Sequence, residues 1–118
     1  MTVVQKYGGS SVADTEKIKR VAMKIKDRIL KGDKVVVVVS AMGKTTDNLI
    51  KLAEEVSSVP DPREMDMLLT TGEQISVALL SMSLKQAGVH AISINAFQAG
   101  IMTTSDFNCA RIKNFDIQ

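Results

Sequence analysis

Short apolar runs and amphipathic stretches alternate along this chain, and their periods predict its elements. Residues 2–5, with Val3 and Val4 at their centre, read as a short strand. Ile18, Val21, Ala22, Ile25 and Ile29 then recur at spacings of three and four, which is one buried face of a helix ending near Lys31. Ser11 or Asp14 can cap its start, and Gly32 with Asp33 makes the turn after it. Residues 34–40 form a second strand. The valines from Val35 to Val39 lack polar alternation, so both faces are expected to be buried, as in a parallel sheet covered by helices.

After Ala41-Met42-Gly43 a second helix presents Leu49, Ile50, Leu52, Ala53 and Val56 as its inner face. Pro60 and Pro62 interrupt the chain. Pro62 suits the first turn of a long helix over residues 63–86, with Gly72 a candidate bend. Gly88 stops that helix, and residues 89–94 read as a third strand. This order of strands and helices implies right-handed crossovers and a mainly parallel α/β sheet. In such sheets ligands bind at the strands' carboxyl ends. The loops there are Lys6-Tyr7-Gly8-Gly9, Ser40-Ala41-Met42-Gly43 and Asn95-Ala96-Phe97-Gln98, all expected to open on one edge. Residues 98–104 read as a plain loop, and residues 111–118 carry no clean end signal.

Composition narrows the function classes. A chain of 118 residues with 45% hydrophobic and 24% charged residues is one domain at most, with material for a core. Aromatic residues are only 3%, tryptophan is absent and the net charge is +2, so neither base stacking nor a polyanionic partner is expected. No nucleic acid is therefore assigned. The basic residues Lys17, Lys19, Arg20, Lys24, Lys26, Arg28 and Lys31 read as the solvated side of the first helix. The run from Val35 to Val39 is far too short to span a bilayer, and no membrane partner is expected. Cys109 is the single cysteine, which excludes an internal disulfide, fits a reducing compartment and reads as a small buried group. His90 has no nearby metal partner in sequence and reads as a sheet residue. With no signal peptide before the first strand, the expectation is a soluble cytoplasmic protein.

Four stretches could carry chemistry. In the first, a strand runs through Lys6 into Tyr7-Gly8-Gly9-Ser10-Ser11. Glycines let a turn tighten and turn its N–H groups toward an oxyanion, the following helix points its positive end there, and Lys6 supplies a full charge. The spacing is neither that of a P-loop nor that of a dinucleotide fingerprint. In the second, Ser40-Ala41-Met42-Gly43 leads into Lys44-Thr45-Thr46-Asp47. One of the paired threonines is expected to cap the helix, which leaves the other hydroxyl for a bound carboxylate. The third is Thr70-Thr71-Gly72-Glu73. A helical glycine costs roughly 1 kcal/mol against alanine, which makes sense where the backbone must approach something closely. An inward Glu73 would need a cation, such as a ligand ammonium. The fourth, Gln98-Ala99-Gly100-Ile101-Met102-Thr103-Thr104, is small and hydroxylic.

These segments, in this order, resemble the amino-terminal part of the aspartate kinases, in the amino-acid kinase family. The resemblance rests on residues 4–12, on residues 37–43 with Thr45-Thr46-Asp47, on residues 63–69 with Thr71-Gly72-Glu73, and on Gln98-Ala99-Gly100 with Ala110-Arg111-Ile112. It implies a three-layer αβα amino-acid kinase-like fold, with residues 1–118 forming the amino-acid-binding part. It implies ATP-dependent phosphorylation of the side-chain carboxylate of L-aspartate to 4-phospho-L-aspartate, toward lysine, threonine and methionine. Lys6 then acts as the catalytic residue at the transferring phosphoryl group. Lys6, Tyr7, Gly8, Gly9 and Ser10 line the phosphate cradle, and Ser40, Thr46 and Glu73 hold aspartate. The Mg²⁺ ligands, the nucleotide half and the regulatory ACT domains are expected outside this chain, which alone is expected to be inactive. The resemblance also implies homo- or hetero-oligomers at full length. A histidine is usual in the family shortly before the Ala-Arg-Ile segment, and Phe107 stands there. Another amino-acid kinase (acting on glutamate, N-acetylglutamate or a nucleotide monophosphate) and a non-catalytic binding or assembly module are the alternatives.

Overall fold

The structure, a computed structural model, describes residues 1–116. Strand β1 (Thr2–Tyr7) and strand β2 (Lys34–Val39) pair in parallel, in register from Thr2 with Lys34 to Tyr7 with Val39. Helix α1 (Thr15–Leu30) is the crossover between them. Asp14 caps α1 by accepting from the Lys17 N–H at 2.8 Å, and Gly32 leaves the helix in the left-handed region at φ +94°. Helix α2 (Thr45–Val56) follows β2, and helix α3 (Pro62–Gln86) runs unbroken through Gly72, with Pro62 in its first turn and Asp61 as its cap.

The core lies between α1, α3 and one face of the sheet. Ile18, Val21, Ala22 and Ile25 of α1 meet Leu80 and Leu84 of α3, and Val12 completes the buried cluster. Val35, Val37 and Val39 pack against it from β2, and Tyr7 does so from β1. Helix α3 is long and apolar enough to cross a membrane by length and composition. Its buried residues Gly72, Ser76, Leu80 and Leu84 recur every four positions, a stripe spent on packing within this protein.

The double burial expected of the valine run is not found. Val36 and Val38 are about half exposed, and Val4 beside them is more so. Successive strand side chains alternate faces, and among the described residues the helices cover one face only. The radius of gyration, 16.0 Å, correspondingly exceeds the roughly 13.5 Å of a compact domain of this length.

The third strand is also corrected. Residues 89–94 form no ladder hydrogen bonds, although Val89 and Ala91 pack against the core, so the parallel sheet has two strands among the described residues. His90 therefore sits exposed on an unpaired segment. The stretch read as a loop with an indistinct end instead forms an antiparallel hairpin of β3 (Ile101–Thr103) and β4 (Ile112–Phe115). Cys109 lies exposed in its connection, as does Phe107, so the expectation of a buried thiol fails. Asp66 of α3 accepts from the Asn108 N–H at 2.9 Å and ties the connection down. Of the segment 111–118, whose sequence carries no clean end signal, residues 117 and 118 lie outside the described residues.

Candidate functional site

Parallel pairing puts the carboxyl ends of β1 and β2 side by side, so the loops that follow them meet. The Ser40 N–H donates to the Tyr7 carbonyl at 3.1 Å, and the Gly43 N–H donates to the Gly9 carbonyl at 3.0 Å. The contact leaves no room for a side chain at position 9, because an added Cβ would stand 2.9 Å from the Ala41 carbonyl oxygen. Gly43 adopts φ +47°, a conformation in which glycine escapes the usual steric cost. The two glycine loops thus form one unit.

Gly8 behaves differently. Nothing lies within 4 Å of where its Cβ would be, so the backbone there faces open space. The Ser11 N–H donates to the Gly8 carbonyl at 3.0 Å and closes the turn. Gly9 is therefore accounted for by packing, and Gly8 is the glycine left for a ligand. Lys6 is exposed, on the bare face of the sheet. The Tyr7 ring packs against the core and its hydroxyl donates to Gln5 Oε1 at 3.1 Å. Desolvation by burial raises the Tyr7 phenol above its ordinary 10.0.

The charge arrangement around this turn differs from the expected one. Helix α1 begins at Thr15, and the Asp14 carboxylate already occupies its amino terminus. The dipole that was expected to favour an anion is met by the protein's own carboxylate. Lys17 adds positive charge instead, its ammonium donating to the Ser10 carbonyl at 3.2 Å. From sequence, Lys17 reads as one of the solvated charges of α1. The usable signal was its position in the first turn of the helix that leaves the glycine loop.

Helix α2 starts without a side-chain cap, although Asp47 stands in its first turn and the Thr45 N–H already donates to the Met42 carbonyl at 2.8 Å. Lys44 is its N-cap and makes no side-chain cap bond, so neither threonine caps it, contrary to expectation. Thr45 and Thr46 are its first residues and half-buried. No hydroxyl bond of Thr45 or Thr46 occurs among the described residues, which leaves both oxygens for a ligand carboxylate beside first-turn N–H groups.

Helix α3 reaches this corner through Gly72. An added Cβ there would sit 3.0 Å from the Ala41 Cβ and 3.4 Å from Thr45 Cγ2, which is the close approach that a helical glycine predicted. Glu73 is exposed, and among the described residues it has no ion-pair partner. Ser76, missed in the sequence, is 1% exposed and donates to the Ser40 carbonyl at 2.7 Å. The loop and α3 elements carrying Ser40, Thr46 and Glu73 are thereby joined. The third loop stays apart. Asn95 and Gln98 bond each other's backbone, and among the described residues no hydrogen bond links residues 95–98 to the other two loops.

The amino-terminal loop pair can cradle an oxyanion, and α2 with α3 can hold a zwitterion's opposite charges. The described residues contain no group of three or more His, Cys, Asp and Glu that could hold a metal ion.

Known proteins share this arrangement of sequence. An aspartokinase of Geobacillus stearothermophilus is 54% identical over 97% of this chain, and aspartokinase 2 of Bacillus subtilis is 51% identical over the same share. The chain spans about a quarter of these relatives, 28% in each case. The crystal structure of aspartate kinase from Synechocystis superposes with a TM-score of 0.77 at 53% identity, covering 80% of this chain and 16% of that one. The fold is thus amino-acid kinase-like. The profile of the amino acid kinase family matches residues 1–118, and the chain belongs to that family.

Proposed function

We propose that this chain is the amino-acid-binding and phosphate-cradling part of an aspartate kinase, acting within a longer cytoplasmic polypeptide. The reaction is transfer of the ATP γ-phosphoryl group to the side-chain carboxylate of L-aspartate, giving 4-phospho-L-aspartate and ADP. It is the first step toward lysine, threonine and methionine. The observation that carries this reading is the joining of the Gly9 and Gly43 loops beside the uncapped start of α2. That union supports reading the corner as an anion cradle beside a carboxylate site.

The acceptor carboxylate is already a nucleophile at neutral pH, so no general base is needed. The task is to bring two anions together in line and to balance charge on the phosphoryl oxygens. Lys6 supplies the catalytic charge at the transferring group. The backbone of Tyr7, Gly8, Gly9 and Ser10 holds the phosphates, with Lys17 behind the turn. Ser40, Thr46 and the first N–H groups of α2 orient aspartate, and Glu73 receives its α-ammonium. ATP is the co-substrate. Mg²⁺, which spreads phosphate charge when bound, would take its ligands from outside this chain. Such an enzyme also assembles into oligomers at full length.

The test is Glu73→Gln in the longest polypeptide that carries this sequence. Exposed and without an ion pair, Glu73 is expected to be dispensable for folding, so unfolding should be unchanged while aspartate binding by calorimetry weakens about tenfold or more. Unchanged aspartate affinity removes Glu73 from the site. Phosphorylation of glutamate, N-acetylglutamate or a nucleotide monophosphate in place of aspartate moves the protein to another branch of the family. Binding without transfer to any of them makes it a non-catalytic module.

A further inference from the structure

We propose that Ser76 is a positioning residue for the amino-acid substrate, its hydroxyl setting the spacing between Ser40 at the end of β2 and the Glu73 turn of α3. Ser76 is the single buried polar side chain among the described residues that also lies in a helix core stripe. A serine inside a helix ordinarily bonds back to the carbonyl four residues before it. That acceptor, the Gly72 carbonyl, lies at 3.1 Å, whereas the Ser40 carbonyl, 36 residues away in sequence, lies at 2.7 Å. The hydroxyl has one proton, and the shorter contact takes the larger share of it.

Packing alone would be better served by alanine, which has higher helix propensity and no polar atom to bury. What the hydroxyl adds is direction. Contact at Gly72 brings α3 close to Ala41, but apolar contact tolerates sliding along the helix axis. A 2.7 Å bond to a fixed carbonyl does not. Ser40 is itself tied to β1, since its N–H, on the peptide preceding the accepting carbonyl, donates to the Tyr7 carbonyl at 3.1 Å. Bonds on either side of the Ser40 Cα therefore connect the end of β1 to α3. Glu73 lies three residues before Ser76, on the adjacent turn, so its distance from the Ser40 and Thr46 site is set through this link.

The inference rests on the aspartate reading, and steady-state kinetics separates the two. In the longest polypeptide carrying this sequence, Ser76→Ala is expected to raise the KM for aspartate about tenfold, because misplacement by a fraction of an ångström weakens a pre-organised site. The KM for ATP should change little. Ser76→Thr, which restores the hydroxyl, should recover most of the loss, and Ser76→Cys, a weak donor of similar size, should behave like alanine and stands in if the alanine variant does not fold. In a Glu73→Gln background the same Ser76 change should cost much less, since the group it positions is gone. An aspartate KM unchanged in both Ser76→Ala and Ser76→Cys, or costs that simply add, overturns the role of Ser76 alone. A parent protein without aspartate-dependent turnover overturns the aspartate reading and this inference with it.

Discussion

Gly9 and Ala41 touch through their backbones so closely that a Cβ on residue 9 would lie 2.9 Å from the Ala41 carbonyl oxygen. No side chain can rotate to relieve that clash, because the obstacle is main chain. Gly9→Ala should therefore part the two loops and cost about 1–3 kcal/mol, read in a urea transition. Gly8→Ala meets nothing within 4 Å and should leave the transition where it is, yet weaken nucleotide binding. The missing side chain is thus predicted to serve loop packing at Gly9 and ligand access at Gly8, while both backbones stay in the cradle. Equal losses of stability in both variants would contradict that division.

Gly72 tests the other contact of the same corner. In an exposed helix, alanine for glycine gains about 1 kcal/mol. Here the new methyl would stand 3.0 Å from the Ala41 Cβ, which is fixed to the backbone, and 3.4 Å from Thr45 Cγ2, which can turn away. Overpacking of this kind costs about 1–3 kcal/mol, so the expected net result is a loss of about 1 kcal/mol. A stabilised Gly72→Ala protein would mean that α3 does not press on the second loop.

Much of this corner was legible in the chain because local chemistry determined it. The glycine after Tyr7, the proline at the start of α3 and the apolar period of α1 each fix backbone geometry within a few residues. What was not legible depends on distant partners. Ser76 looks like an ordinary helix serine until Ser40 is seen beside it. Asp14 and Ser11 were equal cap candidates, and the choice of Asp14 decided that α1 would not serve an anion. Residues 89–94 have strand composition, but a ladder needs a neighbour in register, which the sequence pattern of one segment does not supply. The hairpin of β3 and β4 escaped notice because its strands are short and mostly exposed, with no alternating buried face to read.

Lys17 offers a prediction about charge. Its ammonium bonds the Ser10 carbonyl from the first turn of α1, at an exposed position where such a bond contributes little to stability. Lys17→Gln should leave thermal unfolding nearly unchanged. Beside a phosphate cradle, however, the missing charge should lower affinity for ATP by several-fold, about 1 kcal/mol at low salt. The difference between the two proteins should shrink as salt rises. An affinity gap that is independent of ionic strength would assign Lys17 a purely geometric effect.

Tyr7 gives the pH prediction. Burial raises its phenol above 10.0, and with one tyrosine and no tryptophan in the chain, phenolate absorbance reports this group alone. Above pH 10 the unfolded chain releases the phenolic proton while the folded chain keeps it. The unfolded state then binds fewer protons, so stability falls as pH increases. The contribution is complete below the unfolded value and is lost as pH climbs through the higher folded value. Tyr7→Phe keeps the ring against the core but removes the titrating group and its bond to Gln5 Oε1. It should lose about 1 kcal/mol or less at neutral pH and show a flatter alkaline limb than the parent chain. Absorbance titration of the folded parent should give a midpoint above that of the urea-unfolded chain. Coincident midpoints would show the phenol to be as well hydrated folded as unfolded, and the ring would then lie outside the core.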